Sequence, residues 1–149
     1  MQEEIKQNIN PEEKSVETNK YISIYDFIKI EIKLGTVISA EIVEGSDKLL
    51  KLKVDFNESK EIESEGGLTE REAHTRTVFS GIRKFVSAEE ITGKQFPFVT
   101  NLQPRKIMGQ YSEAMIMAAS EKVIVGDTEI ERFALLSPTQ TLTNGVILK

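Results

Sequence analysis

An all-β domain is what this sequence predicts, and three observations predict it. Leu50, Leu52, Val54 and Phe56 alternate with Lys51, Lys53 and Asp55, the period of a half-buried strand. Further runs rich in β-branched and aromatic residues recur between clusters of Gly, Pro, Asn, Asp and Ser. Helix signals are confined to two short capping patterns. The pattern gives about five main strands, with one small helix between the third and fourth. That order fits a five-stranded Greek-key barrel, the OB-fold.

Residues 1–20 are polar with scattered apolar positions and one Pro, and read as a flexible N-terminal arm. A short docking helix through Ile5 and Ile9 is the alternative. The domain proper is expected over residues 21–149. Ser23 with Asp26 three residues on predicts a capped helical turn through Phe27. A strand follows over residues 30–43, and Gly35 inside it predicts a bulge or sharp bend. Ser46, Asp47 and Lys48 are turn material, and the alternating strand comes next. Residues 57–75 are polar around Gly66-Gly67, either a long hairpin excursion or a flexible loop. The chain returns as a strand from Arg76 to Ile82, with Ser80-Gly81 near its end. Ser87 and Glu90 predict a short helix that Gly93 ends. Residues 94–100 form a strand that Pro97 confines to an edge or a bulge. Strands over residues 112–120, 133–136 and 146–148 complete the set.

The 149 residues suffice for one domain with a real core. The hydrophobic share of 39% and charged share of 29% are ordinary for a soluble globular chain. Absence of cysteine excludes disulfides and thiolate metal sites. His74 stands alone, so no metal site and no cofactor are expected. No apolar run approaches membrane-spanning length and no secretory segment opens the chain, so a cytoplasmic protein with no membrane partner is expected. Phosphate-loop, dinucleotide, nucleophile-elbow and zinc-protease motifs are all missing, so no catalytic residues are expected.

The net charge of −5 is unevenly spread. Residues 1–20 carry −2 and residues 58–75, an acidic insert, carry −4, which leaves +1 on the rest. That distribution permits contact with a polyanion without arguing for it.

The segment Asn101-Leu-Gln-Pro-Arg-Lys106, followed by Gly109 and Ser112, joins a constrained turn to an apolar strand. Pro104 fixes one torsion and Gly109 admits a conformation other residues strain to adopt. Arg105, Lys106, Asn101 and Ser112 together suit a phosphate-bearing ligand. Solvated turn charges, and a turn tied to itself by Asn101 and Ser112, are the alternatives. Ser80-Gly81 is either a strand end or a place where backbone approaches a ligand. Lys51 and Lys53 share a strand face, with Lys48 in the turn before it; a solvated face and a ligand-facing stripe are both open. Met115 and Met117 share one strand face and are expected in the core. Glu113 is expected to pair with a nearby cation.

Five segments in order resemble one family. They are Asp26-Phe-Ile-Lys-Ile-Glu-Ile-Lys-Leu-Gly35, Ala40-Glu-Ile-Val-Glu-Gly-Ser-Asp-Lys-Leu-Leu-Lys-Leu52, Ser80-Gly-Ile82, Gly93-Lys94, and Asn101 to Lys106 with Gly109 and Ser112-Glu113. Together they look like the tRNA-binding domain found at the C-terminus, or as a separate subunit, of methionyl-tRNA synthetases. The same domain occurs in a free-standing bacterial tRNA-binding protein, in endothelial monocyte-activating polypeptide II and in an export-related chaperone-like protein. The likeness spans roughly residues 22–149. Lys33 stands where the family usually has Arg, Ala114 where it has Gly and Ser87 where it has Pro. The 58–75 insert exceeds the usual tight connection. The resemblance implies an OB barrel that binds structured tRNA at its corner, with Lys33, Ser80, Asn101, Arg105, Lys106 and Ser112 in contact. It also implies a homodimer through residues 133–136 and 146–148. The chain would then be a non-catalytic accessory domain of a methionine–tRNA ligase, or a beta subunit whose catalytic partner is a separate chain. Two other roles stay open: a chaperone-like peptide binder on the same barrel, and a protein-docking module of a synthetase complex.

Overall fold

The computed structural model describes residues 20–149. The expected arm over residues 1–20, and the alternative helix through Ile5 and Ile9, lie outside the described residues except for Lys20. The chain divides into two compact units, Met1–Ile30 and Glu31–Lys149. The described part of the first contains α1 (Ile24–Phe27), capped as expected: the Asp26 N–H donates to the Ser23 hydroxyl at 3.1 Å.

In the second unit the strands are β1 (Ile32–Ile42), β2 (Leu50–Glu63), β3 (Thr69–Ser80), β4 (Gln95–Val99), β5 (Arg105–Ile107), β6 (Gln110–Ser112), β7 (Met115–Ile116), β8 (Ala118–Val125) and β9 (Thr128–Leu135). The short α2 (Ala88–Ile91) lies between β3 and β4, and Ser87 caps it through the Glu90 N–H. Five strands form one curled antiparallel sheet in the order β3-β2-β1-β4-β7, an all-β, OB-like half-barrel.

The alternating residues of β2 explain the core. Leu50, Leu52, Val54 and Phe56 all point inward and are buried, joined by Val37, Val78 and Phe98. Each such side chain contributes about 1.5–3 kcal/mol through its removal from water. Phe56 meets Phe98 edge-on, with ring centroids 5.2 Å apart. Gly35 lies against that ring, and the break in β1 register falls further on, between Val37 and Ser39. Gly35 therefore serves close approach, and the bulge expected there occupies the next positions.

Residues 57–75 form the long hairpin rather than a flexible loop. Pairing runs from Glu58 opposite His74 to Glu63 opposite Thr69, with Lys60 facing Glu72 and Glu61 facing Arg71. Opposite charges across the ladder support a ribbon that has little apolar surface.

Three expectations need correction. Pro97 lies in a strand flanked on both sides, neither an edge nor a bulge. It is tolerated because its nitrogen faces away from Leu34, on the side where its carbonyl accepts the Met117 N–H, just past the end of the two-residue β7, so no ladder bond of β7 is lost. The strand expected over residues 112–120 is broken into β6, β7 and the start of β8, each in a different sheet. The breaks coincide with outside bonds: Glu113 N–H to the Thr77 carbonyl, and Met117 N–H to the Pro97 carbonyl. Of the strand expected over residues 133–136, residues 133–135 are the end of a longer β8–β9 hairpin whose first strand was not expected, and Leu136 lies just beyond it. Residues 146–148 run beside β1, with a bridge between Ile147 and Lys33. Buried Gln95 anchors this last segment, donating to the Leu142 carbonyl and Asn144 Oδ1 and accepting the Leu142 N–H.

Candidate nucleic-acid interface

Between β4 and β7 the chain leaves the sheet as the β5–β6 ribbon. Arg105 pairs with Ser112, Lys106 with Tyr111 and Ile107 with Gln110. The two linking residues, Met108 and Gly109, have φ of 49° and 84°. Two positive φ values in a two-residue link are the mark of a type I′ turn, whose twist suits a tight hairpin. Arg105 and Lys106 are thus strand residues and not turn residues, a second correction to the reading of this segment. As neighbours on a strand they face opposite sides of the ribbon. Arg105, Ile107 and Ser112 line a cleft of about 140 Å³ with Phe79, Leu102 and Met115. Lys106 shares the other side with Tyr111, which is 57% exposed. Both cations are exposed, and neither makes an ion pair among the described residues.

Met108 and Gln110 line a second cleft, of about 310 Å³, with Lys51, Glu41 and the start of the β1–β2 loop at Val43 and Glu44. OB barrels bind oligonucleotides between this loop and the connection that carries the ribbon. Lys51 lies 3.7 Å from Glu41, so part of its charge is already answered; Lys53 is exposed on the same sheet face.

The other expected contact residues fall into two groups. Asn101 and Lys33 both reach Glu31 at the root of the excursion. The Glu31 N–H donates to Asn101 Oδ1 at 2.8 Å, and Lys33 Nζ lies 3.3 Å from Glu31 Oε1. Ser112 is on the ribbon, where its hydroxyl accepts the Phe79 N–H at 3.0 Å. Ser80 is not brought to the ribbon: it pairs with Leu50 and, by alternation, takes the opposite sheet face from Phe79. Met115 is 51% exposed rather than in the core, because Ala114 and Ile116 take the inward positions.

Arg76 is the residue that sequence reasoning missed. Its Nε and Nη2 donate to the two carboxylate oxygens of Glu58, both at 2.8 Å. Its Nη1 donates to the Thr100 carbonyl at 2.7 Å and the Glu113 carbonyl at 3.2 Å. Glu113 thus does meet a cation: its backbone carbonyl accepts from Arg76, and its carboxylate charge also favours the charged Arg76. Hydrogen bonding from Arg76 holds the Glu58 carboxyl below its ordinary value against the opposing effect of burial, and the same pairing raises Arg76. Hydrogen bonding from Thr100, then Lys33, lowers Glu31. A lone Arg leading the β-branched Thr77-Val78 pair was the only trace of this in the sequence.

The chain as a whole is similar to known proteins. The family described as "Putative tRNA binding domain" matches residues 32–146. A methionine–tRNA ligase of Caldanaerobacter subterraneus is 37% identical over 134 residues, covering 85% of this chain and 19% of the ligase. One from Campylobacter jejuni is 37% identical over 144 residues, covering 97% of this chain and 19% of the ligase. The chain therefore spans less than a fifth of the length of these relatives. Among solved structures, a MetRS-related protein of Pyrococcus horikoshii superposes with a TM-score of 0.65 at 28% identity, covering 87% of this chain and 99% of that one. The chaperone CsaA of Bacillus anthracis superposes with a TM-score of 0.59 at 23% identity over 87% and 99%, a likeness of fold. With the family's pattern running from β1 to the final segment, this chain belongs to the tRNA-binding domain family.

Proposed function

We propose that this domain binds structured tRNA through phosphate and 2′-hydroxyl contacts, and that it serves a methionyl-tRNA synthetase as a non-catalytic accessory domain or beta subunit. The observation that carries this reading is the β5–β6 ribbon, a tight hairpin that presents Arg105 and Lys106 without an ion-pair partner among the described residues. Exposed guanidinium and ammonium groups on an otherwise nearly neutral barrel are suited to phosphate oxygens. Tyr111 beside Lys106 adds a face on which an unstacked base could lie. Asn101, Lys33 and Ser112 mainly shape the root and flank of the ribbon, and Ser80 stands further off. Tethered to a catalytic chain, such a domain raises the local tRNA concentration without changing the chemistry. Exposed Leu136, Ile147 and Leu148 near the chain end support a homodimer interface there.

The test is Arg105→Ala with Lys106→Ala. Neither side chain is packed, so the thermal midpoint should hardly move. Affinity for bulk tRNA should fall at least tenfold, about 1.4 kcal/mol. Full binding by the double variant would remove the ribbon from the interface.

One observation favours a second reading. Leu102, Ile107 and Met115 give the Arg105 cleft an apolar wall, which would suit an extended peptide. Peptide binding that is flat with salt, together with no tRNA binding, would select that reading.

A further inference from the structure

We propose that Arg76 is the positioning residue of the RNA-facing ribbon: one guanidinium nitrogen holds both roots of the 101–112 excursion and so sets where Arg105, Lys106 and Tyr111 meet the ligand. This rests on the reading of the ribbon as the tRNA contact. The two carbonyls that accept from Arg76 Nη1 belong to Thr100 and Glu113, the residues that bracket the excursion. The other edge of the guanidinium is fixed by the paired bonds to Glu58, so its plane cannot swing. Four of its five donors (the full set of an Arg) are then engaged, and its side chain is only 17% exposed. It is therefore not itself a phosphate ligand.

The excursion has further ties: Val99 pairs with Met115 just outside the roots, the Ser112 hydroxyl accepts the Phe79 N–H, and Asn101 Oδ1 accepts the Glu31 N–H. Thr100 donates its N–H to the Glu31 carbonyl at 2.9 Å and its hydroxyl to Glu31 Oε1 at 2.6 Å. Glu113 donates its N–H to the Thr77 carbonyl at 2.8 Å. The ribbon between them is a separate two-stranded sheet of three residues a side. Ribbons that short do not hold an orientation alone. Without the clasp the ribbon samples other orientations, and apparent affinity falls by the fraction of time it remains correctly placed.

A double-mutant cycle on the full chain tests this. Arg76→Met should weaken tRNA binding about tenfold at a temperature where the variant is folded, if about a tenth of the ribbon stays in place. Amide exchange should rise across residues 101–112 while β1 and β2 stay protected. Added to the Arg105→Ala, Lys106→Ala background, Arg76→Met should cost less than about twofold more, since the groups it positions are gone. The core substitution Val37→Ala, which destabilises without touching the ribbon, should leave affinity within about twofold. Three results would overturn the proposal: unchanged binding by Arg76→Met, an effect that multiplies in full with that of the ribbon pair, or an equal loss in Val37→Ala. Should the ribbon pair itself prove dispensable, the functional reading fails, while exchange at residues 101–112 still judges the clasp. If Arg76→Met does not fold, Arg76→Lys takes its place with the same thresholds, because a single ammonium cannot hold Glu58 and both carbonyls at once.

Discussion

A Cβ placed on Gly35 would lie 2.5 Å from Phe56 Cε1 and 2.6 Å from Val54 Cγ1. Both neighbours are buried core side chains that cannot retreat. Gly35→Ala is therefore expected to destabilise the domain by about 1–3 kcal/mol, the cost of overpacking a filled core. Urea denaturation measures this, and an unchanged midpoint would show that the Phe56 ring can move aside. At this scale the sequence conveyed chemistry better than geometry. Arg105 and Lys106 were legible as a cationic pair beside Pro104 and Gly109. That they face opposite sides of a ribbon depended on where the turn closes, and the turn took Met108 rather than the residues before it. Arg76 was not legible as a clasp, because its partners lie 18, 24 and 37 residues away. No local pattern encodes contacts that only the curl of the sheet creates.

Among elements, the Arg76–Glu58 pair joins β3 to β2 at the point where their register shifts, between Val54 and Glu58. Its contribution depends on pH with a definite sign. Glu58 and Glu31 have folded-state values below the ordinary 4.5, so both bind protons less readily when folded. The stability they supply is present above about 4.5 and is lost as pH falls through the lower folded values. Glu58→Gln should accordingly be less stable than the parent near neutral pH, and the difference should shrink below about pH 4.5. Chemical denaturation of both proteins across that range checks it; a gap that is constant with pH would mean the carboxylate charge does not matter. Elements with strong local signals were legible: the period-2 alternation of β2, and the Ser23 and Ser87 caps. Others needed tertiary context. The acidic 58–75 stretch carries no apolar alternation, and only cross-strand pairs such as Glu61 with Arg71 make it a ribbon. The β8–β9 hairpin was missed although Gly126-Asp127, flanked by Val125 and Thr128, is a recognisable two-residue link.

For the whole molecule, the net charge of −5 means that affinity for a polyanion has to come from a few placed cations rather than from the overall field. The number of phosphates engaged can be read from salt dependence, since log K falls with log salt by about 0.9 for each phosphate neutralised on a duplex. If Arg105 and Lys106 of one chain engage two phosphates, raising salt fourfold should weaken binding about 12-fold. A homodimer that lays both ribbons on one tRNA would engage four, and the same change should weaken binding about 150-fold. The two cases separate cleanly when the titration is combined with sedimentation of the free protein and the complex. A dimer with the shallow slope would mean that only one ribbon reaches a given tRNA. A monomer with the steep slope would mean that cations outside the ribbon, Lys53 of the β2 face foremost, share the contact. A slope near zero would contradict the electrostatic reading at every scale, because tRNA would then be held without neutralising its phosphates.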